Sequence, residues 1–303
     1  GVTGVQTCAL PISRRRPAAD RIPAVSATVR PVLHARRHSL RVLMKLITWN
    51  IQWCRGCDGR VDPARIVERA RHLADFDVLC LQEVADGFPG LAGSSGENQF
   101  EWIASLLPEY QALEGIAVDV QGEHGRRARF GNMLLTRLPV LGVWRHLLAW
   151  PADPAVVGMQ RIAIEAVLAA PDGPIRILTT HLEYYSKVQR TAQVRHLRDL
   201  HAQACAHSAD PLVEKHRGSP FETRPRPTRA LLCGDFNFLE NSNDYALMQE
   251  PLSSAPTWRD TWTIVHPGVP HSHTNGVHDR IQWPTPHTCD FVFVSEEIGR
   301  AHV

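Results

Sequence analysis

Short apolar runs alternate along the chain with polar, turn-rich stretches, and the period of each run predicts an element. Residues 46–53 are apolar and β-prone and predict a strand. Asp62-Pro63 then supplies an N-cap and a first-turn proline for a helix through Leu73. Val78-Leu79-Cys80-Leu81 is the continuous apolar run of a strand buried on both faces. A Gly/Ser loop over 93–96 leads into a helix near 98–107. Strands are expected at 111–118, 132–136, 141–147, 162–168 and 175–180, and a long helix over 187–207. Four prolines among Lys and Arg make 208–229 read as a long loop, a length that tends to be functional or disordered. A strand at 230–233, a helix near 243–249, an irregular His/Pro/Thr stretch over 266–287 and a strand at 290–294 complete the pattern. There is no internal repeat. Strands in two groups separated by helices predict an α/β fold, a four-layer sandwich of two mixed sheets packed face to face with helices outside.

At 303 residues and 44% hydrophobic, the chain can bury a sizeable core in one large or two ordinary domains. No apolar run approaches the roughly eighteen residues of a membrane span, and no signal pattern opens the chain, so a cytoplasmic protein with no membrane partner is expected. The ends look foreign. Codons for Thr7-Cys8-Ala9-Leu10-Pro11-Ile12 can be chosen whose reverse complement encodes Ile298-Gly299-Arg300-Ala301-His302, which resembles sequencing-adapter read-through. Residues 1–13 and 297–303 are therefore set outside the fold. Residues 1–43 as a whole are expected to be an adapter-derived or disordered leader, 44–296 the domain, with its last strand missing, and 297–303 an adapter-derived tail. The leader holds eight Arg against Asp20, a balance of +7, so a net charge of +2 leaves the remainder at −5. A net-acidic body lacks the broad basic footprint of a tight nucleic-acid binder, though a local patch is still allowed. The lone Cys54-x-x-Cys57 pair, followed by Asp58-Gly59, reads as ordinary reduced thiols rather than as a zinc or redox motif.

Chemistry concentrates where the apolar runs stop. The first strand ends in Asn50, Val78 to Leu81 run into Gln82-Glu83, the strand at 175–180 ends in His181, and Leu231-Leu232-Cys233 ends in Gly234-Asp235-Phe236-Asn237. Each residue alone has a bland role as a turn or surface group. Strand ends in layered α/β folds converge on a common crevice, so the set predicts a single site.

Thr48-Trp49-Asn50-Ile51, Leu81-Gln82-Glu83-Val84, Thr180-His181-Leu182-Glu183, Gly234-Asp235-Phe236-Asn237 and Cys289-Asp290-Phe291-Val292-Phe293 resemble, in order and spacing, the motifs of the endonuclease/exonuclease/phosphatase superfamily over essentially 44–296. That resemblance implies a Mg²⁺-dependent hydrolase of phosphate esters, with Mn²⁺ as an alternative ion, acting on a phosphodiester or phosphomonoester such as DNA and working as a monomer. It implies Glu83 as principal metal ligand with Asn50 beside it. It further implies Asp235 as the group that orients or deprotonates the attacking water, Asn237 as a holder of water or phosphate, and His181 as donor to a non-bridging oxygen. Asp290 would align a histidine of a final Ser-Asp-His motif, which does not appear before the tail. His302 has no strand to place it there, so a native-like fold with little turnover is expected. Asn132 and Arg161 are weaker substrate-binding candidates. His271, His273, His278 and His287 read as solvated loop histidines, and Trp258, Trp262 and Trp283 as core rather than as stacking surfaces for a base or an aromatic leaving group. The competing reading is a catalytically dead phosphate- or nucleic-acid-binding module of the same fold.

Overall fold

The computed structural model describes residues 6–8, 44–209, 216–224, 226–279 and 281–295. Eleven strands form two sheets among them. The first has the order β1 (Gln6–Cys8), β2 (Leu46–Asn50), β3 (Val78–Asp86), β5 (Arg127–Thr136), β4 (Gln111–Gln121). The second has the order β10 (Trp258–Asp260), β11 (Asp290–Ser295), β9 (Ala230–Asp235), β8 (Gly173–His181), β7 (Ile162–Ala170), β6 (Val140–Leu147). Within them β2/β3 and β8/β9 run parallel and the other pairs antiparallel. The sandwich of two mixed sheets expected from the apolar pattern is the observed architecture.

Alternation along each strand sorts the core into three layers. Leu46, Cys80, Ile177, Cys233 and Val292 meet between the sheets. Ile47, Trp49, Leu79 and Leu81 turn the other way, onto α1 (Pro63–Leu73) and α2 (Gln99–Leu106). Leu178, Leu232, Phe291 and Phe293 face outward from the second sheet, in a cluster that takes in Val194 and Leu197 of α3 (Lys187–Ala209) and Met248 of α4 (Asn243–Met248). Helix α1 begins as expected: the Asp62 side chain accepts from Arg65 N, with Pro63 in the first turn.

Several expectations need correction. The segment 6–8, set outside the fold, pairs antiparallel with β2, so the edge of that sheet is covered along Leu46, Ile47 and Thr48. The rest of the leader and the tail lie outside the described residues. Strands β4 and β5 are longer than their apolar runs because they form a two-stranded arm joined through a turn at Gly122 and Arg126, where alternation is weak. Strand β10 and helix α5 (Thr261–Val265) were not anticipated, three and five residues being too short to show a period.

The loop over 208–229 is anchored where it can be described. Arg226 is buried and forks onto Glu165 at 3.1 and 2.7 Å, with its guanidinium 4.9 Å from the Trp144 ring. Burial opposes ionisation of Glu165, yet hydrogen bonds from His146 and Arg226 and the charge of Arg176 hold its carboxyl at about 2. His271 is not solvated: its ring bridges Asp260 and Glu240 and stacks on Trp262. Burial works against its protonation, but the two carboxylates outweigh it and raise the pKa, so they favour the charged form of this clasp on the last loop. Spacing in sequence cannot reveal such long-range partners.

Gly234 shows why the fourth motif begins with glycine. Its φ is +143°, and a Cβ there would lie 1.9 Å from the Thr180 carbonyl oxygen in the neighbouring strand. Gly234→Ala is expected to cost at least about 3 kcal/mol, measured by urea unfolding, because strain and a backbone clash add.

Candidate active site

The alternation that builds the inter-sheet core also aims the chemistry. Leu46, Thr48 and Asn50 share one face of β2; Ile177, Thr179 and His181 one face of β8; Leu231, Cys233 and Asp235 one face of β9; Asp290, Val292 and Val294 one face of β11. Register then brings the last residues together. His181 is the cross-strand partner of Asp235, and Asp235 that of Asp290. Asn50 is the partner of Gln82, whose amide donates to Thr48 Oγ1 of its own sheet at 3.2 Å and across to Thr179 Oγ1 of the second sheet at 2.9 Å.

Glu83 arrives by a different device. Leu81 pairs with Met133 and Val84 with Gly131, so Gln82 and Glu83 together oppose Asn132, a β-bulge. The extra residue resets the phase: Val84 joins Leu81 in the outer layer, and Glu83 is left projecting at the crevice with a φ of +60°. Trp53 N donates to the Glu83 carbonyl at 2.8 Å. Gln52, Trp53 and Cys54 are themselves left-handed, as is Asn237. Five of the seven left-handed non-glycine residues among the described residues thus border one crevice, the usual location of stored backbone strain.

Asn50 Nδ2 donates to Glu83 Oε1 and Asp235 Oδ2, each at 2.9 Å, while its Oδ1 accepts from Gln52 N at 3.1 Å. The amide therefore bridges two carboxylates. Asp235 Oδ1 accepts from Asn237 N at 2.9 Å, and the Asn237 side chain reaches Leu182 O at 2.9 Å and His181 Nε2 at 3.0 Å. Asp290 is fully buried; its Oδ1 has no hydrogen-bond partner among the described residues. Glu83, Asp235 and Asp290 share this dry space. Burial, and then the negative charge of Asp235, pushes Glu83 up to about 7. Burial raises Asp235, and burial with the Asp235 charge raises Asp290 well above the usual range.

Arg161, a weak candidate from the sequence, is 6% exposed and sits behind the histidine. Its Nε donates to Glu183 Oε2 at 3.1 Å and its Nη1 lies 3.1 Å from His181 Nδ1. A guanidinium can only donate, as can the Asn237 amide nitrogen at Nε2, so both contacts favour the uncharged imidazole without by themselves fixing its tautomer. Burial first and Arg161 second hold the His181 pKa well below its ordinary value. Nε2 itself faces the crevice, 3.9 Å from Glu83 Oε1 and 3.8 Å from Asp235 Oδ2.

Asn132 is buried on β5 and its Nδ2 donates to the Ile162 carbonyl at 3.0 Å, next to Arg161. Glu183, quoted only as part of a motif, emerges with a function: fully buried, it ties Arg161 to the turn after β8 through Tyr185 N at 3.0 Å. Its signal was a carboxylate two residues beyond a strand-end histidine. Among the described residues no group of three or more His, Cys, Asp or Glu side chains is placed to hold a metal ion. No described helix is long and apolar enough to cross a membrane.

The profile described as the Endonuclease/Exonuclease/phosphatase family matches residues 47–303 of the chain. A search of curated proteins finds no match. Solved structures share the fold at low identity. An endonuclease/exonuclease/phosphatase from Beutenbergia cavernae is 22% identical with a TM-score of 0.53, over 82% of this chain and 63% of that one, so this chain spans less than two thirds of that relative. The human Nocturnin catalytic domain with bound sulfate is 17% identical, TM-score 0.54, over 84% and 82%. A mannosyl-6-phosphatase from Bacteroides thetaiotaomicron is 16% identical, TM-score 0.53, over 84% and 85%.

Proposed function

Because this chain belongs to the endonuclease/exonuclease/phosphatase family, a family of hydrolytic phosphoesterases, we propose that its crevice binds a phosphate ester together with a divalent cation, Mg²⁺ or Mn²⁺, and directs water at phosphorus. The observation that carries this reading is the meeting of three buried carboxylates, each with a raised pKa, at one strand-end crevice. Uncompensated negative charge in a dry space is costly, and a hard cation relieves it.

The donor set fits such an ion. Glu83, whose side chain is 16% exposed, offers Oε2 at the crevice, and Asn50 can present Oδ1 by turning its amide. One or two protein oxygens, completed by water and phosphate, suit Mg²⁺, which keeps several waters. Bound there, the cation would supply electrophilic polarisation of the phosphoryl oxygens.

The remaining steps belong to the chain. His181 donates its Nε2 proton to a non-bridging oxygen as charge builds in the transition state. Asp235, fixed by Asn50 and Asn237 N, has the raised proton affinity that suits a group receiving a proton from water. Asn237 holds water or phosphate beside it, and Arg161 acts through His181 as a positioning residue. Asp290 Oδ1 is the acceptor that a histidine would fill in the family pattern, and no described residue donates to it. That same atom favours the second reading, a phosphate-binding module with little catalysis.

The test is a panel of abasic DNA, single-stranded DNA, a small phosphodiester and a phosphomonoester, each with Mg²⁺ and with chelator. Cation-dependent cleavage that falls at least about a hundredfold in Asp235→Asn is expected. Cation-dependent binding without cleavage in both proteins would select the binding module, and neither binding nor cleavage would refute the proposal. A nuclease would also weaken steeply with salt, whereas a small-ester phosphatase would not.

A further inference from the structure

Glu165 faces more positive charge than one carboxylate can answer. It is fully buried on β7, accepts from Arg226 Nε at 3.1 Å and Arg226 Nη2 at 2.7 Å, and lies 3.7 Å from Arg176 Nη1. Arg176 is itself fully buried, and Arg226 is 9% exposed. Among the described residues no other carboxylate lies within ion-pair distance of either guanidinium. The remaining neighbours of Arg176 bring no negative charge. Its Nε donates to Pro227 O at 2.6 Å, and its Nη2 lies 2.7 Å from His201 Nδ1. Burial and the Arg176 charge push that histidine down to about 4, so it is neutral at pH 7. Arg176 Nη1 is left buried with no hydrogen bond among the described residues. Two buried cations thus share one anion, and an unanswered charge in a dry place is costly.

This cluster borders a cavity of about 300 Å³ between β6 and the loop that follows α3. Arg226 lines the cavity together with Trp144, Thr223 and Arg224. Its guanidinium stands 4.9 Å from the Trp144 ring, which helps to fix its position. With Nε and Nη2 committed to Glu165, Nη1 is the donor that Arg226 has left for the cavity. At the rim Arg224 pairs at 3.1 Å with Glu222, the one acid in the lining, and Glu222 is tied back to Gly218 N at 2.8 Å. Arg176, Arg224 and Arg226 against Glu165 and Glu222 leave one positive charge over.

From this surplus we infer a second binding site, in which a small oxyanion, a phosphate or a carboxylate, enters the cavity and bonds to Arg226 Nη1 beside Arg224. A guanidinium bond to an oxyanion is charge-assisted and so among the strong ones. The inference does not depend on the phosphoesterase reading. Arg176 stands five residues before His181 on β8, about 16 Å along the strand, so the cluster lies apart from the crevice. It also gives the proline-rich loop over 208–229 a use, since Thr223, Arg224 and Arg226 all come from it.

The experiment is a thermal melt of the full chain in chelator, with calorimetric titration, comparing sodium phosphate and sodium succinate with sodium chloride at equal ionic strength. Without a cation the crevice carboxylates repel these anions, so binding there does not interfere. At least one oxyanion is expected to raise the melting temperature above the chloride value, because a ligand of the folded state stabilises it by mass action. The larger of the two responses identifies the site's oxyanion as phosphate or carboxylate. Arg226→Gln is expected to weaken that binding at least about tenfold, and to leave the chain folded, because Glu165 then pairs one to one with Arg176. Arg224→Gln, at the exposed rim, is expected to weaken it roughly threefold. Stabilisation by neither oxyanion beyond chloride would overturn the site, as would binding that survives Arg226→Gln. Should Arg226→Gln fail to fold, undiminished affinity in Arg224→Gln would overturn it instead.

Discussion

Glu83→Gln is expected to abolish cation-dependent hydrolysis, by at least about a thousandfold, and to make the cation-free protein more stable. The two effects share one cause. The Glu83 carboxyl is pushed up to about 7 by burial and by Asp235. A carboxyl whose folded pKa exceeds its unfolded value of about 4.3 costs nothing below that value, where both states are protonated. The penalty grows as pH rises through 4.3 and is complete above 7. Removing the charge therefore stabilises the chelated protein at pH 8 by up to about 3 kcal/mol, and hardly at all at pH 4. Added Mg²⁺ should raise the melting temperature of the native protein, since an ion that binds only the folded state stabilises it by mass action. It should leave Glu83→Gln unmoved. Thermal melts at pH 4 and 8, with chelator and with Mg²⁺, check all four corners. A Mg²⁺ shift that persists in Glu83→Gln would remove this residue from the cation site.

The strand-end rule explains why so much of the site was legible. Asn50, His181 and Asp235 terminate strands whose apolar residues are recognisable by type alone, and Asp290 opens one. Register brings such ends side by side without any further information. Glu83 was legible as a residue but not as a geometry. In a strand buried on both faces, hydrophobic alternation is absent, so the bulge that resets the phase between Leu81 and Val84 leaves no mark in the letters. Arg161 and Glu183 were hard for another reason. A buried ion pair depends on partners from different strands, and an arginine at a strand entry is more often solvated. The same limit hid Arg226 on Glu165 and His271 between Asp260 and Glu240. Local patterns specify layers and strand ends, while charges buried in pairs are settled by the packing of distant segments.

Arg161→Met provides the sharpest test of that buried pair. Glu183 is fully buried and Arg161 nearly so, and removing one partner strands the other's charge, so a loss of about 3–5 kcal/mol in urea unfolding is expected. The double variant Arg161→Met/Glu183→Gln should recover much of that stability, because no lone charge remains. It should not recover turnover. The proposed Nε2 donor needs Nδ1 to accept, as the Arg161 guanidinium demands; without that group His181 can carry its proton on either nitrogen. A fall in turnover of about 10²–10³, the usual cost of losing one such donor, is expected in both variants. Nitrogen chemical shifts of the imidazole separate this from a merely structural role: a single Nε2–H tautomer in the native protein, a mixture in the variants. Acid stability adds a sign. Burial and Arg161 depress the His181 pKa, so keeping the ring neutral costs nothing above the unfolded value of about 6.5 and increasingly more as pH falls below it. With the guanidinium gone that cost shrinks, and the double variant should lose less stability between pH 7 and pH 5 than the native protein does. An Nδ1–H tautomer in the native protein would overturn the assignment of Arg161 as the residue that orients His181.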